Sequence, residues 1–277
     1  MSFDVFAVIL LGAALHATWN AVVKGGGDTL LTTCMITSFA SLIALAVIPF
    51  LALPARESWP FIGASVVFQV LYFVLVASTY RIADMSQTYP IMRGTAPLLV
   101  ATASVFVLSE SLSPLAWSGI AVICLGILSM AAAPSTSQRK GLVLALINAG
   151  VIAGYTLVDG VGVRKSGAPA AYTLWIFLLT GLPLAAWALA TRRRVFCRYV
   201  IGQWHLGVVG GFGTVASYGL ALWAMTAAPI ATVSALRETS ILFGVVISAL
   251  VLKEQLTRTR VIAACIIAGG AMVLRLG

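Results

Sequence analysis

Charge is what this chain has least of. Asp, Glu, Lys and Arg make up 9% of its 277 residues, against about a quarter in ordinary soluble domains. Histidine occurs twice, at His16 and His205, and cysteine four times. Cys34, Cys124 and Cys265 fall in apolar stretches and Cys197 in a basic loop. No pair has CxxC or metal-ligand spacing, so neither a zinc site nor a disulfide framework is expected. There is no GxSxG, no HExxH and no Walker glycine loop. No catalytic set, metal or cofactor is therefore expected, and the chain does not read as an enzyme. With no nucleotide-binding domain, active transport would draw on an ion or solute gradient.

What the chain has is apolar length. Hydrophobic residues make up 61% and the mean hydropathy is +1.05. A membrane span needs about 20 mostly apolar residues. Breaks at charges, Pro and Gly predict ten spans: 3–23, 29–53, 61–80, 85–108, 115–133, 142–163, 170–190, 203–228, 230–252 and 260–276. The runs are too long and too uniformly apolar for a barrel, whose strands alternate every second residue. No basic region precedes the first run, so it reads as an uncleaved helix rather than a signal peptide. The expectation is an all-α, multi-pass protein of the inner (cytoplasmic) membrane.

The net charge of +9 does not point to nucleic acid. The basic residues are spread through short loops, densest at Arg192, Arg193, Arg194 and Arg198, where anionic lipid headgroups are the natural neighbours. One set of loops holds eleven Lys and Arg, the other four, at Arg56, Arg164, Lys165 and Arg275. The positive-inside rule then puts Cys197 and Lys253 in the cytoplasm and both termini outside.

One pattern occurs twice. Arg93-Gly94-Thr95 is followed by an apolar run to Glu110, then Pro114 and a segment containing Gly126. Arg237-Glu238-Thr239 is followed by an apolar run to Glu254, then Arg258 and a segment containing Gly270. The offset is 144 residues throughout, and each Arg precedes its Glu by 17. Residues 1–133 and 142–277 thus read as two five-helix repeats joined by a linker at 134–141. Five is odd, so the second repeat enters the membrane from the opposite side. That is the inverted-topology arrangement of many secondary transporters, with the site between the repeats.

These runs, Tyr89-Pro90-Ile91-Met92-Arg93-Gly94-Thr95-Ala96-Pro97 to Glu110 and Ala235-Leu236-Arg237-Glu238-Thr239 to Glu254, resemble the second half of an EamA repeat. That repeat defines the ten-helix drug/metabolite transporter superfamily. The resemblance covers essentially the whole chain and implies ten helices around a central cavity. It does not define a substrate, since the superfamily includes amino-acid and metabolite exporters, drug exporters and sugar-nucleotide or sugar-phosphate exchangers.

Arg93 and Arg237 lie about 10–12 Å inside their spans, too deep to reach the interface. Intramembrane arginines face a cavity or a partner and mark functional sites. Two guanidiniums near a two-fold axis suit a carboxylate, phosphate or phosphonate. The competing reading is a structural lock, with each Arg tied to Glu238 or to helix carbonyls. His16 and Asn20 share one face of the first span, and Tyr155, Asp159 and Asn148 one face of the sixth. With Tyr72, Tyr89 and Tyr218, these residues form the expected substrate-binding set: Arg93, Arg237, Tyr89, Tyr72, Tyr218, His16, Asn20, Tyr155 and Asp159. Gln69, Phe73, Tyr80, Trp19 and Trp223 extend the aromatic wall, whereas Trp59, Trp117 and Trp204 suit the membrane interface. Glu238, His16 and Asp159 are the candidates for proton coupling. For Glu238 a permanent salt bridge is the alternative, and for His16 an interhelix hydrogen bond. Glu110 and Glu254, at span ends, read as caps of the helix that follows. The glycines of the eighth span allow close packing, and Pro90, Pro97 and Pro183 interrupt helices.

The functional expectation is a secondary transporter of a small organic metabolite working by alternating access. An amino-acid exporter comes first, with apolar or aromatic substrates favoured. Transport of phosphonates, phosphate esters or drug-like solutes is the alternative, and a channel or non-transporting membrane protein the third reading. The partners expected are the solute, the bilayer and coupling protons, with no nucleic acid, in a monomer or homodimer.

Overall fold

The computed structural model describes residues 1–25, 28–132, 139–250 and 257–277. Among them there is no strand. The helices are α1 (Phe3–Gly25), α2 (Thr29–Val47), α3 (Trp59–Ile82), α4 (Met85–Leu108), α5 (Pro114–Ser129), α6 (Arg139–Ser166), α7 (Pro169–Met225), α8 (Ile230–Arg237), α9 (Ser240–Leu250) and α10 (Arg258–Leu276). Glu254, Lys253 and most of the expected linker lie outside the described residues.

Several helix ends are set by local chemistry. Asp28 starts α2 by accepting from the Leu31 N–H at 3.0 Å. Ser113 does the same for α5 through Ala116 N–H, with Pro114 following at the first helical position. Thr257 caps α10. Ser109 ends α4 in the left-handed region, φ 56°, where the chain turns sharply enough to aim Glu110 away from α5.

Eight helical stretches are long and apolar enough to cross a membrane, and α5 is a shorter apolar helix. Two features of the spans stand out. α7 runs for 57 residues, about 85 Å if straight and far beyond a hydrocarbon core of about 30 Å. It breaks at Arg192 and Gln203, where φ falls to −137° and −129°. Pieces 169–191 and 204–225 both pack on α2: Ser41 Oγ donates to the Phe177 carbonyl at 2.9 Å, and Gly207 abuts Phe39 and Met35. The chain therefore doubles back between the two pieces, in keeping with the separate spans expected at 170–190 and 203–228. The ninth expected span is α8 and α9, interrupted at Glu238 and Thr239. There the backbone tightens to three-residue hydrogen bonds, Glu238 N–H to Ala235 and Thr239 N–H to Leu236. α4, with Pro90 and Pro97 inside it, stays continuous.

The main core lies at the end of the bundle near both termini. Ile9 of α1, Ile62 of α3, Tyr172 and Ile176 of the first α7 piece, Leu222 and Met225 of the second, and Ile230 of α8 are buried together there. α5 packs along α10. The opposite half holds a cavity beside a smaller buried cluster of Leu31, Met35, Ala188 and Phe196.

Candidate functional site

A cavity of about 250 Å³ opens between the helices. Its rim is set by Asn20 near the end of α1, Thr33 near the start of α2, Tyr80 at the end of α3 and Met85 at the start of α4. Its floor holds Arg93, Tyr155, Phe177, Tyr218 and Arg237. The rim lies at the end carrying the more basic loops, and the packed core closes the other end. Of the nine expected binding residues, the cavity is lined by His16, Asn20, Tyr72, Tyr89, Arg93, Tyr155, Tyr218 and Arg237. Gln69, Phe73, Tyr80 and Trp19 line it too, whereas Trp223 points outward and is 41% exposed.

The two arginines have different surroundings. Arg93 Nε donates to Glu238 Oε2 at 3.0 Å, and Arg93 Nη2 lies 2.9 Å from Glu238 Oε1. Both side chains are buried, and this two-point pair ties α4 to the α8–α9 break. Arg237 is half-buried. Its Cζ sits 4.9 Å above the Tyr218 ring, and no carboxylate among the described residues pairs with it. A guanidinium over an aromatic face gains cation–π attraction and keeps its N–H edges free.

Asp159 stands one layer behind the wall, fully buried. It accepts hydrogen bonds from Ser65 Oγ (2.9 Å), Tyr172 OH (3.1 Å) and Tyr218 OH. Gln69 Nε2 donates to Ser65 Oγ at 3.2 Å. A hydrogen-bonded chain thus leaves the cavity at Gln69, passes through Ser65 and Asp159, and returns at Tyr218 beneath Arg237. A buried carboxylate requires such partners, and here it fixes the ring on which the free guanidinium rests.

His16 accepts from Trp19 Nε1 at Nδ1 (3.2 Å), and its carbonyl accepts from Asn20 Nδ2 (2.7 Å). Tyr72, Tyr155, Tyr218 and Phe177 follow one another edge to face, with centroids 6.0–6.5 Å apart. Asn148 lies deeper, donating to Met92 Sδ at 3.0 Å. Sequence reasoning missed Thr37, Phe177, Thr180, Thr214 and Ser217, which also line the cavity. For the hydroxyl residues the signal was small polar side chains about one turn apart, at Thr33 and Thr37 and at Thr214 and Ser217; Phe177, one turn before Thr180, carried no polar signal of its own. Thr180 Oγ1 is buried with no hydrogen-bond partner among the described residues.

At the closed end Glu110 corrects an expectation. It does not cap α5, a task Ser113 performs. Its two oxygens accept from the Ile230 N–H at 3.2 and 3.0 Å and so cap α8 in the other half of the chain. Arg164 Nη2 lies 2.7 Å from Glu110 Oε1. The same guanidinium donates to the carbonyls of Met225 (2.7 Å) and Ala228 (3.0 Å). Arg164 therefore fastens the end of α6, the α7–α8 turn and the α4–α5 turn together. Of the cysteines, Cys34 and Cys124 are buried, whereas Cys197 and Cys265 are exposed.

Residues 139–276 match the EamA-like transporter family. No curated protein matches the chain. Among solved structures, one described only as a crystal structure of a protein aligns over 100% of this chain and 98% of its own, at TM-score 0.78 and 18% identity. At that identity the likeness concerns the fold alone.

Proposed function

Because the chain carries an EamA-like transporter domain, and so is a membrane transporter of small solutes, we propose that it exports an amino acid with an apolar or aromatic side chain by alternating access. The observation that carries this reading is one uncompensated cation set in an aromatic-walled cavity. A substrate carboxylate meets the open N–H edges of Arg237. Its side chain lies against Tyr72, Tyr155 and Phe177. A phosphate ester brings close to two charges, yet Glu238 already occupies Arg93. The volume of about 250 Å³ falls just below the pockets of about 300–1,000 Å³ that hold drug-sized ligands, which favours a small metabolite.

Two further observations support alternating access between inverted repeats. The cavity is open at one end and latched by Arg164 at the other. Contacts between α5 and α10 are reciprocal in the 144-residue register: a Cβ on Gly126 would come 3.0 Å from Ile267, and a Cβ on Gly270 would come 2.7 Å from Ile123. Counting α7 as two spans, and α8 with α9 as one, gives the ten helices of this arrangement. Glu238 is the carboxylate best placed for proton coupling, since its protonation frees Arg93. The loop charges support a cytoplasmic open rim in an inner membrane, which terminal reporter fusions test directly.

Counterflow in proteoliposomes tests the reading. Labelled leucine, phenylalanine and tryptophan should exchange saturably and compete with one another. Exchange of a phosphonate in their place would move the assignment to the phosphate-like class, and non-saturating flux would replace the carrier with a pore.

A further inference from the structure

The piece of α7 between its two breaks does not line the cavity, and its chemistry is unlike the rest of the chain. Residues 169–191 and 204–225 each extend about 33–35 Å at 1.5 Å per residue, enough to cross the hydrocarbon core. Both press on α2, so the chain reverses between them, and a bilayer spanned by the two pieces puts the short helix 192–202 at its headgroup level. Its inner face is pinned. Phe196 is 5% exposed among Leu31, Met35 and Ala188, and the Tyr199 hydroxyl lies 2.6 Å from Thr32 Oγ1. Its outer face presents Arg192, Arg193, Arg194 and Arg198, all exposed. Val195, Ile201 and Trp204 are exposed beside them at 56%, 77% and 58%.

None of these four arginines has a carboxylate partner among the described residues. The sequence holds no Asp or Glu between Asp159 and Glu238. Asp28, at the start of the neighbouring α2, is engaged as that helix's cap. Four exposed guanidiniums within seven residues, on a helix pinned by Phe196 and Tyr199 and beside exposed apolar side chains, suit an anionic amphiphile: phosphate for the charges and acyl chain for Val195 and Ile201.

We propose that helix 192–202 is a binding site for anionic phospholipid headgroups. The site bears on the cavity because the helix joins the piece that supplies Phe177, Thr180 and Gly181 to the piece that supplies Thr214, Ser217 and Tyr218. Headgroups bridging Arg193, Arg194 and Arg198 neutralise their mutual repulsion and hold the two pieces at a fixed spacing.

The test is thermal unfolding of the purified full chain in neutral detergent, with phosphatidylglycerol, phosphatidylcholine or inorganic phosphate added. Phosphatidylglycerol should raise the midpoint by several degrees more than phosphatidylcholine, and inorganic phosphate alone should not. The R193Q/R194Q/R198Q variant should lose that difference, whereas R56Q/K165Q, with its changes at the opposite end, should keep it. Native mass spectrometry of the unaltered chain gives a second reading, with phosphatidylglycerol retained in preference to phosphatidylcholine. Equal shifts with both lipids, a preference that survives the triple change, a phosphate effect as large as the lipid effect, or no lipid preference in the mass spectra each overturns the proposal.

Discussion

Arg93 is held along one edge of its guanidinium by Glu238, whereas Arg237, one residue before that same glutamate, faces the cavity over a tyrosine ring. The two arginines occupy the same place in matching sequence runs, and the difference arises from the residue that follows each. After Arg93 stands Gly94, where even a Cβ would come 2.8 Å from Leu128 Cγ. No carboxylate fits there. After Arg237 stands Glu238, and the helix break at that point turns its side chain toward α4 and away from the open space. Both arginines border the cavity, but the one carboxylate pairs with Arg93 and leaves Arg237 without an ion-pair partner among the described residues. Duplicated residues therefore do not guarantee a symmetric site.

The comparison breaks most sharply under single substitutions. Arg93→Gln leaves Glu238 as a buried uncompensated charge, a loss of about 3–5 kcal/mol for buried pairs, so folded yield and unfolding temperature should drop clearly. Arg237→Gln should change stability by about 1 kcal/mol or less while removing most binding of carboxylate substrates. Thermal unfolding and counterflow on the same preparations separate the two. Equal stability losses from both changes would abolish the distinction between lock and ligand group. The double change Arg93→Gln with Glu238→Gln should recover part of the stability, with a coupling energy of about 1–3 kcal/mol in a double-mutant cycle. Strict additivity would show that the pair is not energetically joined.

Smaller effects sharpen the picture on the Arg237 side. Asp159→Asn weakens the hold on Tyr218 and so the platform under Arg237. The half-saturating substrate concentration should rise on the order of tenfold, the equivalent of about 1.4 kcal/mol. The maximal rate should change less, and Tyr218→Phe should give a milder version of the same pattern. An unchanged concentration dependence in both variants would detach the Asp159 network from the site. The smallest effect is expected at the closed end. Arg164→Gln should loosen the α6, α7–α8 and α4–α5 junction, and a cysteine placed at buried Thr232 should then react several-fold faster with an impermeant maleimide. No change in labelling would remove Arg164 as a latch.

Class and register were legible in the residues themselves. Scarce charge and long apolar runs leave few alternatives to a helical membrane protein, because a lipid environment tolerates only internally bonded backbone. Eight of nine expected binding residues line one cavity, because polar and aromatic groups inside apolar helices must turn toward one another or toward water. Asp159 departs from that set because a carboxylate with three hydroxyl partners is better satisfied behind the wall than on it. Glu110 was read locally as a cap for the next helix. Its real partner, the Ile230 N–H, lies 120 residues away, and nothing in the local sequence encodes which exposed helix terminus will arrive beside it.

Amino-acid order alone determined that this chain is helical, multi-pass and written in two matching registers, since hydropathy and spacing act over one span at a time. Only the tertiary structure decided which arginine is neutralised, which end of the bundle is closed, and which helix terminus Glu110 caps. Those outcomes depend on which side chains from distant helices meet. A buried charge is stabilised by whichever opposite charge or hydroxyl the packing brings within about 3 Å, and that pairing is a property of the assembled bundle.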